Sequence, residues 1–244
     1  MAQTRRQRAG IAAAADRGVI RPPLDRDVIV GAALALLDEV GLDGLSMRNL
    51  AERLTIKAAS LYWYVRDKEE LLGLLADAIC VEVGAPVAEA PWRAQLETLL
   101  GEYRRILQSH RDAARILFGT IPTGPHRLRL VDMSLAALGA AGFEGMDIVR
   151  AARLLVDNVT SSVLEEANEA ALAARVAGQE SGEEGAPSAA YSPFTSLPAS
   201  AYPSIAALAA LLAEPDGDGR FQFGLKVMLD GLERQLPPPG ERPV

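Results

Sequence analysis

Residues 44–68 read Gly44-Leu45-Ser46-Met47-Arg48-Asn49-Leu50-Ala51-Glu52-Arg53-Leu54-Thr55-Ile56-Lys57-Ala58-Ala59-Ser60-Leu61-Tyr62-Trp63-Tyr64-Val65-Arg66-Asp67-Lys68. Ser46 is a helix-capping residue, and Met47, Leu50, Ala51 and Leu54 form the apolar face of a short helix. Thr55-Ile56 break that pattern, and a second short helix is predicted over about Lys57 to Tyr64. Upstream, Val28, Ile29, Ala32, Ala33, Leu36, Leu37 and Val40 repeat at helical spacing, with Asp25 as N-cap and Gly41 as stop. Downstream, Asp67 caps a helix with Glu69 and Glu70 in its first turn, where the helix dipole favours acids. Leu71, Leu72, Leu75, Ala78 and Ile79 form its buried side, and Gly84 and Pro86 end it.

Beyond Pro91, Trp92, Leu96, Leu99, Leu100, Tyr103, Ile106 and Leu107 mark a long helix, with shorter ones near 112–118 and 126–140 and a stop at Gly142. Met146 to about Val176 reads as one long helix and 221–236 as another. Residues 178–203, rich in Gly, Ser, Pro, Ala and Glu, read as a mobile loop. No alternating strand pattern occurs, so the expected fold is all-α. The expected division is a basic arm over 1–23, a three-helix head over 24–70 and a larger helical body over 71–238.

The 244 residues, 49% hydrophobic and 23% charged, exclude a wholly disordered chain. No apolar run approaches the roughly 18 residues of a membrane span, and the Arg-bearing N-terminus leads into no signal-peptide core. The expected location is therefore the cytoplasm, with no membrane partner. One cysteine, Cys80, forms no internal disulfide and reads as a small core residue. His110 and His126 lack ligand-like spacing, so no metal or other cofactor is expected. No phosphate-binding glycine loop or nucleophile elbow supports an enzyme, whose only acids would be the Asp and Glu of the long helix.

The net charge of −7 hides an asymmetry. Residues 1–68 hold 11 Lys+Arg against 8 Asp+Glu, whereas the other 176 hold 14 against 24. A basic head on an acidic body points to a polyanionic partner for the head. Three short helices, the second and third joined by a tight turn, form a helix-turn-helix whose third helix enters a DNA major groove. Here Ala58 and Ala59 are small enough for close backbone approach, and Ser60 offers a hydroxyl. Tyr62 and Tyr64 can donate to phosphate, and Lys57 and Lys68, two of only three lysines, add charge. Arg48 can reach a phosphate or a guanine edge. Leu61 and Val65, four apart, are expected in the core. Burial statistics place Trp63 there too. A purely structural helical dimer would not explain why small residues, tyrosines and lysines converge on one short helix.

The run from Gly44 to Leu54, with Leu61-Tyr62-Trp63-Tyr64-Val65 and Lys68, closely resembles the DNA-binding domain of the TetR family of bacterial transcriptional regulators. Ser109-His110-Arg111-Asp112, Gly119-Thr120 with Pro122, Val163-Leu164-Glu165-Glu166, Phe223-Gly224-Leu225 and Gly231 to Leu236 resemble the effector domain of tetracycline repressors. The resemblance spans about residues 24–236. It implies a homodimer on palindromic operator DNA, with heads roughly 34–36 Å apart and a small-molecule effector that changes their separation. Repression is the expected action and activation the alternative. By position, Arg48, Ala58, Ala59, Ser60, Tyr62 and Lys68 carry over as DNA contacts; tetracycline repressors have Gln and Pro in place of Ala58 and Ala59, so the operator should differ.

In the long helix, Asp157, Asn158, Ser161, Ser162 and Glu165 lie among Val156, Val159, Val163 and Leu164, a pattern open to a ligand cavity, a dimer seam or a solvated face. By the resemblance, Glu165 matches an acid extended into the partner's pocket. Leu99 and Leu117 replace the Asn and His that hold tetracycline and its magnesium, another His position falls near Val83-Gly84, and Met133 stands near a Gln position. Thr120 is kept and Tyr103 replaces a Phe. These changes imply an apolar cavity for a hydrophobic or aromatic effector, without magnesium-tetracycline binding. The arm has no counterpart in tetracycline repressors; tracking the minor groove and an inert tail both remain open for it.

Overall fold

The computed structural model describes residues 24–180 and 197–236, without the side chains of 176–180. The expected arm and most of the expected loop lie outside the described residues. Ten helices, and no strand among the described residues, run in order. The head comprises α1 (Arg26–Gly44), α2 (Met47–Leu54) and α3 (Ala58–Leu61). Then come α4 (Lys68–Cys80), α5 (Trp92–Ser109), α6 (Ala113–Phe118), α7 (Pro125–Ala141), α8 (Gly145–Glu180), α9 (Pro203–Leu212) and α10 (Gly217–Glu233).

The helix starts follow the expected capping chemistry. Asp25 accepts from the Val28 amide at 2.8 Å, Ser46 Oγ from Asn49 at 3.1 Å and Asp67 from Glu70 at 2.8 Å. Gly41 breaks α1 with φ 71° and ψ 175°, a conformation open essentially to glycine alone, and one further turn follows to Gly44. In the head, α1 packs on α2 and α4, and α2 on α3. In the body, α5, α7 and α8 pack together, α6 and α7 lie on α4, and α10 runs along α8. One apolar cluster extends from Ile29 to Leu236, so head and body share a core through α4.

Several bounds differ from expectation. α3 stops at Leu61, and Tyr62–Tyr64 form a turn, because the Val65 amide bonds back to Leu61 O at 3.1 Å, Val65 is drawn into the core, and Asp67 must extend to cap α4. α4 ends at Cys80 rather than near Gly84, the chain turning there to bury Val83. α8 continues through 178–180, which were expected in the loop; alanine-rich residues 170–174 favour helix. Pro203, the expected last loop residue, opens α9, a helix absent from the periodicity reading and without a buried residue. α10 begins four residues early, at Gly217, with Asp218 held by Arg104 at 2.6 Å.

Candidate functional site

The tip of the head presents a rigidly backed polar and aromatic surface. Leu61 and Val65 are fully buried, as expected, so the residues between them are turned outward. Tyr62 is 51% exposed and Trp63, expected in the core, is 88% exposed. The turn leaves no interior space for the indole, since Leu61 and Val65 already fill the inward positions. Lys57, Ala59 and Lys68 are exposed, while Ala58, Ser60 and Tyr64 are half-buried. Arg48 is exposed on α2 and pairs with Glu52 at 2.9 Å. All eight residues expected at the DNA surface reach solvent. Trp63 is a further exposed residue at the tip, against the expectation from burial statistics.

Glu70 fixes this tip from behind. One carboxylate oxygen meets Arg26 Nη2 at 3.0 Å, and the other accepts from the Arg66 backbone amide at 2.8 Å and from Arg66 Nε at 3.1 Å. The Arg66 amide foremost, then the two guanidinium groups, hold the Glu70 carboxyl below its ordinary range against the effect of burial. Arg26 Nε also donates to Tyr64 O at 3.1 Å, tying the end of the aromatic turn to α1.

A polar seam joins head to body. Arg111 Nη1 donates to Asp38 O and Glu39 O at 3.3 and 3.0 Å, capping α1 where Gly41 breaks it. Asp112 accepts from the Leu42 amide at 2.7 Å, and Arg115 meets Asp43 at 2.9 Å, holding that carboxyl below its ordinary range. Beside the seam lies a half-open cleft of about 630 Å³ between the end of α1, the start of α6 and α8.

In the body, Leu99, Tyr103, Leu117 and Val159 are buried in one cluster, and Met133 packs half-buried against it. Tyr103 Oη shares a 3.0 Å hydrogen bond with Thr160 Oγ1, and burial pushes its phenol up to about 12. Thr120 is half-buried at the edge. Glu165 is exposed and outside this cluster in the single chain; Asp157, on the same stripe, is exposed too, and Ser161 bonds back to Asp157 O at 2.8 Å. The neighbouring Glu166 is the engaged acid, gripping Arg104 at 2.9 Å. Cys80 is buried, which pushes its thiol up to about 12 and leaves it unreactive. His110 ends α5 with Nε2 3.7 Å from Glu82. His126 is half-buried in the first turn of α7.

Three buried charged residues escaped the sequence reading: Arg104, already met at Glu166, Arg127 and Asp77. Arg127 is 9% exposed and lies on the inner stripe of α7 with Leu130, Ser134, Ala137, Leu138 and Ala141. Its guanidinium donates to Thr120 Oγ1 at 2.8 Å, Leu117 O at 3.2 Å and Thr120 O at 3.1 Å. Asp77 of α4 accepts from the Arg127 backbone amide at 2.9 Å. It thereby caps α7 from another helix, since Gly124 at the N-cap has no side chain, and a Cβ there would strike the Asp77 carboxyl. The legible signal was an arginine in phase with an apolar stripe. Among the described residues no group of three His, Cys, Asp or Glu is placed to hold a metal, and no helix is long and apolar enough to cross a membrane.

Comparison with known proteins gives two family matches. Residues 29–75 match bacterial regulatory proteins of the tetR family, and 85–236 the tetracyclin repressor-like C-terminal domain. The chain is 34% identical over 215 residues to the class A tetracycline repressor protein from transposon 1721 of Escherichia coli, covering 87% of this chain and 92% of that protein. It is 41% identical over 144 residues to an HTH-type transcriptional regulator of Saccharopolyspora erythraea, covering 59% of this chain and 61% of the relative. Among solved structures, the Streptomyces coelicolor TetR family protein ActR in complex with (S)-DNPA superposes with a TM-score of 0.74 at 33% identity, covering 88% of this chain and all of that one. ActR in complex with actinorhodin gives 0.72 at 32% identity, covering 86% of this chain and 97% of that one.

Proposed function

The chain belongs to the tetR family of bacterial regulatory proteins, and from that membership we propose that it is a homodimeric repressor released from operator DNA by a small hydrophobic or aromatic molecule. The observation that carries the reading is the tip of the head, where Tyr62 and Trp63 stand in solvent over buried Leu61 and Val65. An aromatic turn so exposed has hydration to lose and no internal partner, whereas a DNA groove offers phosphate oxygens and apolar thymine methyl groups. The DNA-contacting set is Arg48, Lys57, Ala58, Ala59, Ser60, Tyr62, Tyr64 and Lys68, with residues 24–70 as head and 71–238 as effector and dimer domain. Acting on operator DNA, the protein works in the cytoplasm.

A gel shift with the DNA upstream of its own gene tests this. Tyr62→Ala and Lys68→Ala should each weaken binding, and Lys68→Ala should lower the slope of log affinity against log salt by about 0.9. Undiminished binding in both variants would refute the assignment.

The effector site is formed by Leu99, Tyr103, Leu117, Thr120, Met133 and Val159, with Glu165 contributed across the dimer. Leu99 and Leu117 are both buried and apolar at the two positions where, by the resemblance, tetracycline repressors hold the drug and its magnesium with Asn and His, so those two polar contacts are missing here. Calorimetry with magnesium-tetracycline should show no uptake at micromolar concentration; heat of binding in that range would overturn the reading.

A further inference from the structure

Arg127 is a buried cation bonded to residues of the proposed effector site. Its side chain sits on the inner face of α7, where every other buried position is small, hydroxylic or aliphatic. No carboxylate lies within 4.0 Å of its guanidinium among the described residues. Asp77, the nearby acid, spends a carboxylate oxygen on the Arg127 backbone amide instead. A buried cation without a paired anion is costly and persists only where other interactions offset the cost.

The three bonds to Leu117 O, Thr120 O and Thr120 Oγ1 supply part of that compensation, closing the carboxyl end of α6 with positive charge. They use three of the five N–H donors of a guanidinium. Nε–H and one Nη1–H donate to no group among the described residues. No fully occluded side-chain nitrogen among them lacks a partner, so Nε is not fully occluded. The residues that Arg127 grips, Leu117 and Thr120, belong to the proposed effector site. Its charge also acts on the Tyr103 phenol and on the Cys80 thiol, both in the same interior.

We infer that the effector carries an anionic group, a carboxylate on an aromatic or alicyclic skeleton, and that Arg127 is the residue that selects it. The inference rests on the effector site proposed above. A carboxylate beside Nε–H would gain a charge-assisted hydrogen bond and provide the counter-charge the guanidinium lacks. Because Arg127 also holds the end of α6 and its backbone is capped by α4, occupation of this point meets both helices that bear on the head.

The test uses the full-length protein and two probes of one skeleton, anthracene-9-carboxylic acid and its methyl ester, titrated calorimetrically at neutral pH. The acid should bind at least about tenfold more tightly than the ester. Arg127→Met should abolish that preference, with circular dichroism and a thermal melt reporting separately that the variant is folded. Arg127→Lys should keep part of the preference, since it keeps the charge. Equal binding of acid and ester by the wild type, or a preference that survives in Arg127→Met, overturns the inference but leaves the effector site standing. Failure of both probes to bind removes the site and the inference together.

Discussion

At the scale of single residues, the seam between head and body turns on Gly41. Its φ of 71° and ψ of 175° lie where a Cβ is strongly disfavoured, and the Arg111 guanidinium occupies the space a Cβ would need, with Nη2 2.9 Å away. Gly41→Ala should therefore cost about 1–3 kcal/mol of stability, read as a lower urea midpoint at unchanged slope. A variant as stable as the wild type would show that the kink is not required. Gly41 was legible as a helix stop, because glycine ends helices by local backbone conformation. Trp63 was not legible, because a large aromatic is usually buried and only the early end of α3 turns it outward. Glu165 and Glu166 are adjacent acids, and nothing local distinguishes the exposed one from the one that meets Arg104, since that pairing depends on α5 packing against α8.

At the scale of elements, α3 is only four residues long and has too few internal hydrogen bonds to persist alone. Its position is set by Leu61 beneath it and by the Glu70 clamp on Arg26 and Arg66. The clamp gives the head a pH dependence whose sign follows from the lowered carboxyl. A depressed folded value means the stabilisation is complete above the ordinary value of 4.5 and is lost as pH falls through the lower folded one. Glu70→Gln should thus be less stable than the wild type near neutrality, with the gap closing on acidification, as followed by urea melts at several pH values. A gap constant with pH would mean the carboxylate charge plays no part. The capped starts of α1, α2 and α4 were readable because the caps are local, within three residues. The cap of α7 was not, because it comes from Asp77, 50 residues earlier in the chain. α9 escaped for a different reason: a run of alanines and leucines without polar alternation has no face for periodicity to detect.

At the scale of the whole molecule, the excess of positive charge lies in residues 1–23, with 5 Lys+Arg against 1 Asp+Glu, and residues 24–70 hold 6 against 9, so charge does not divide head from body. The structure adds that no loop separates them. α4 begins among head contacts, where Lys68 reaches Leu42 O at 3.4 Å and Glu70 holds its two arginines, and ends among body contacts, where Asp77 caps α7 and Cys80 is buried. A boundary at residue 70 or 71 therefore falls inside a continuous helix, and rotation is transmitted along it as well as displacement. One alanine inserted between Gly73 and Leu74 would turn everything before it by about 100° and shift it by about 1.5 Å relative to the body. Seven would restore the angle to within about 20° while adding about 10.5 Å. Operator binding across a series of such insertions, measured on half-sites of varied spacing, should follow helical phase: abolished by one residue, and recovered by seven only on a respaced operator. Loss that grows smoothly with insertion length would show that the two parts are coupled loosely. Splicing this head onto another body is accordingly a problem of matching phase within a helix, as in joining two shafts by a keyed coupling, and not one of choosing a linker.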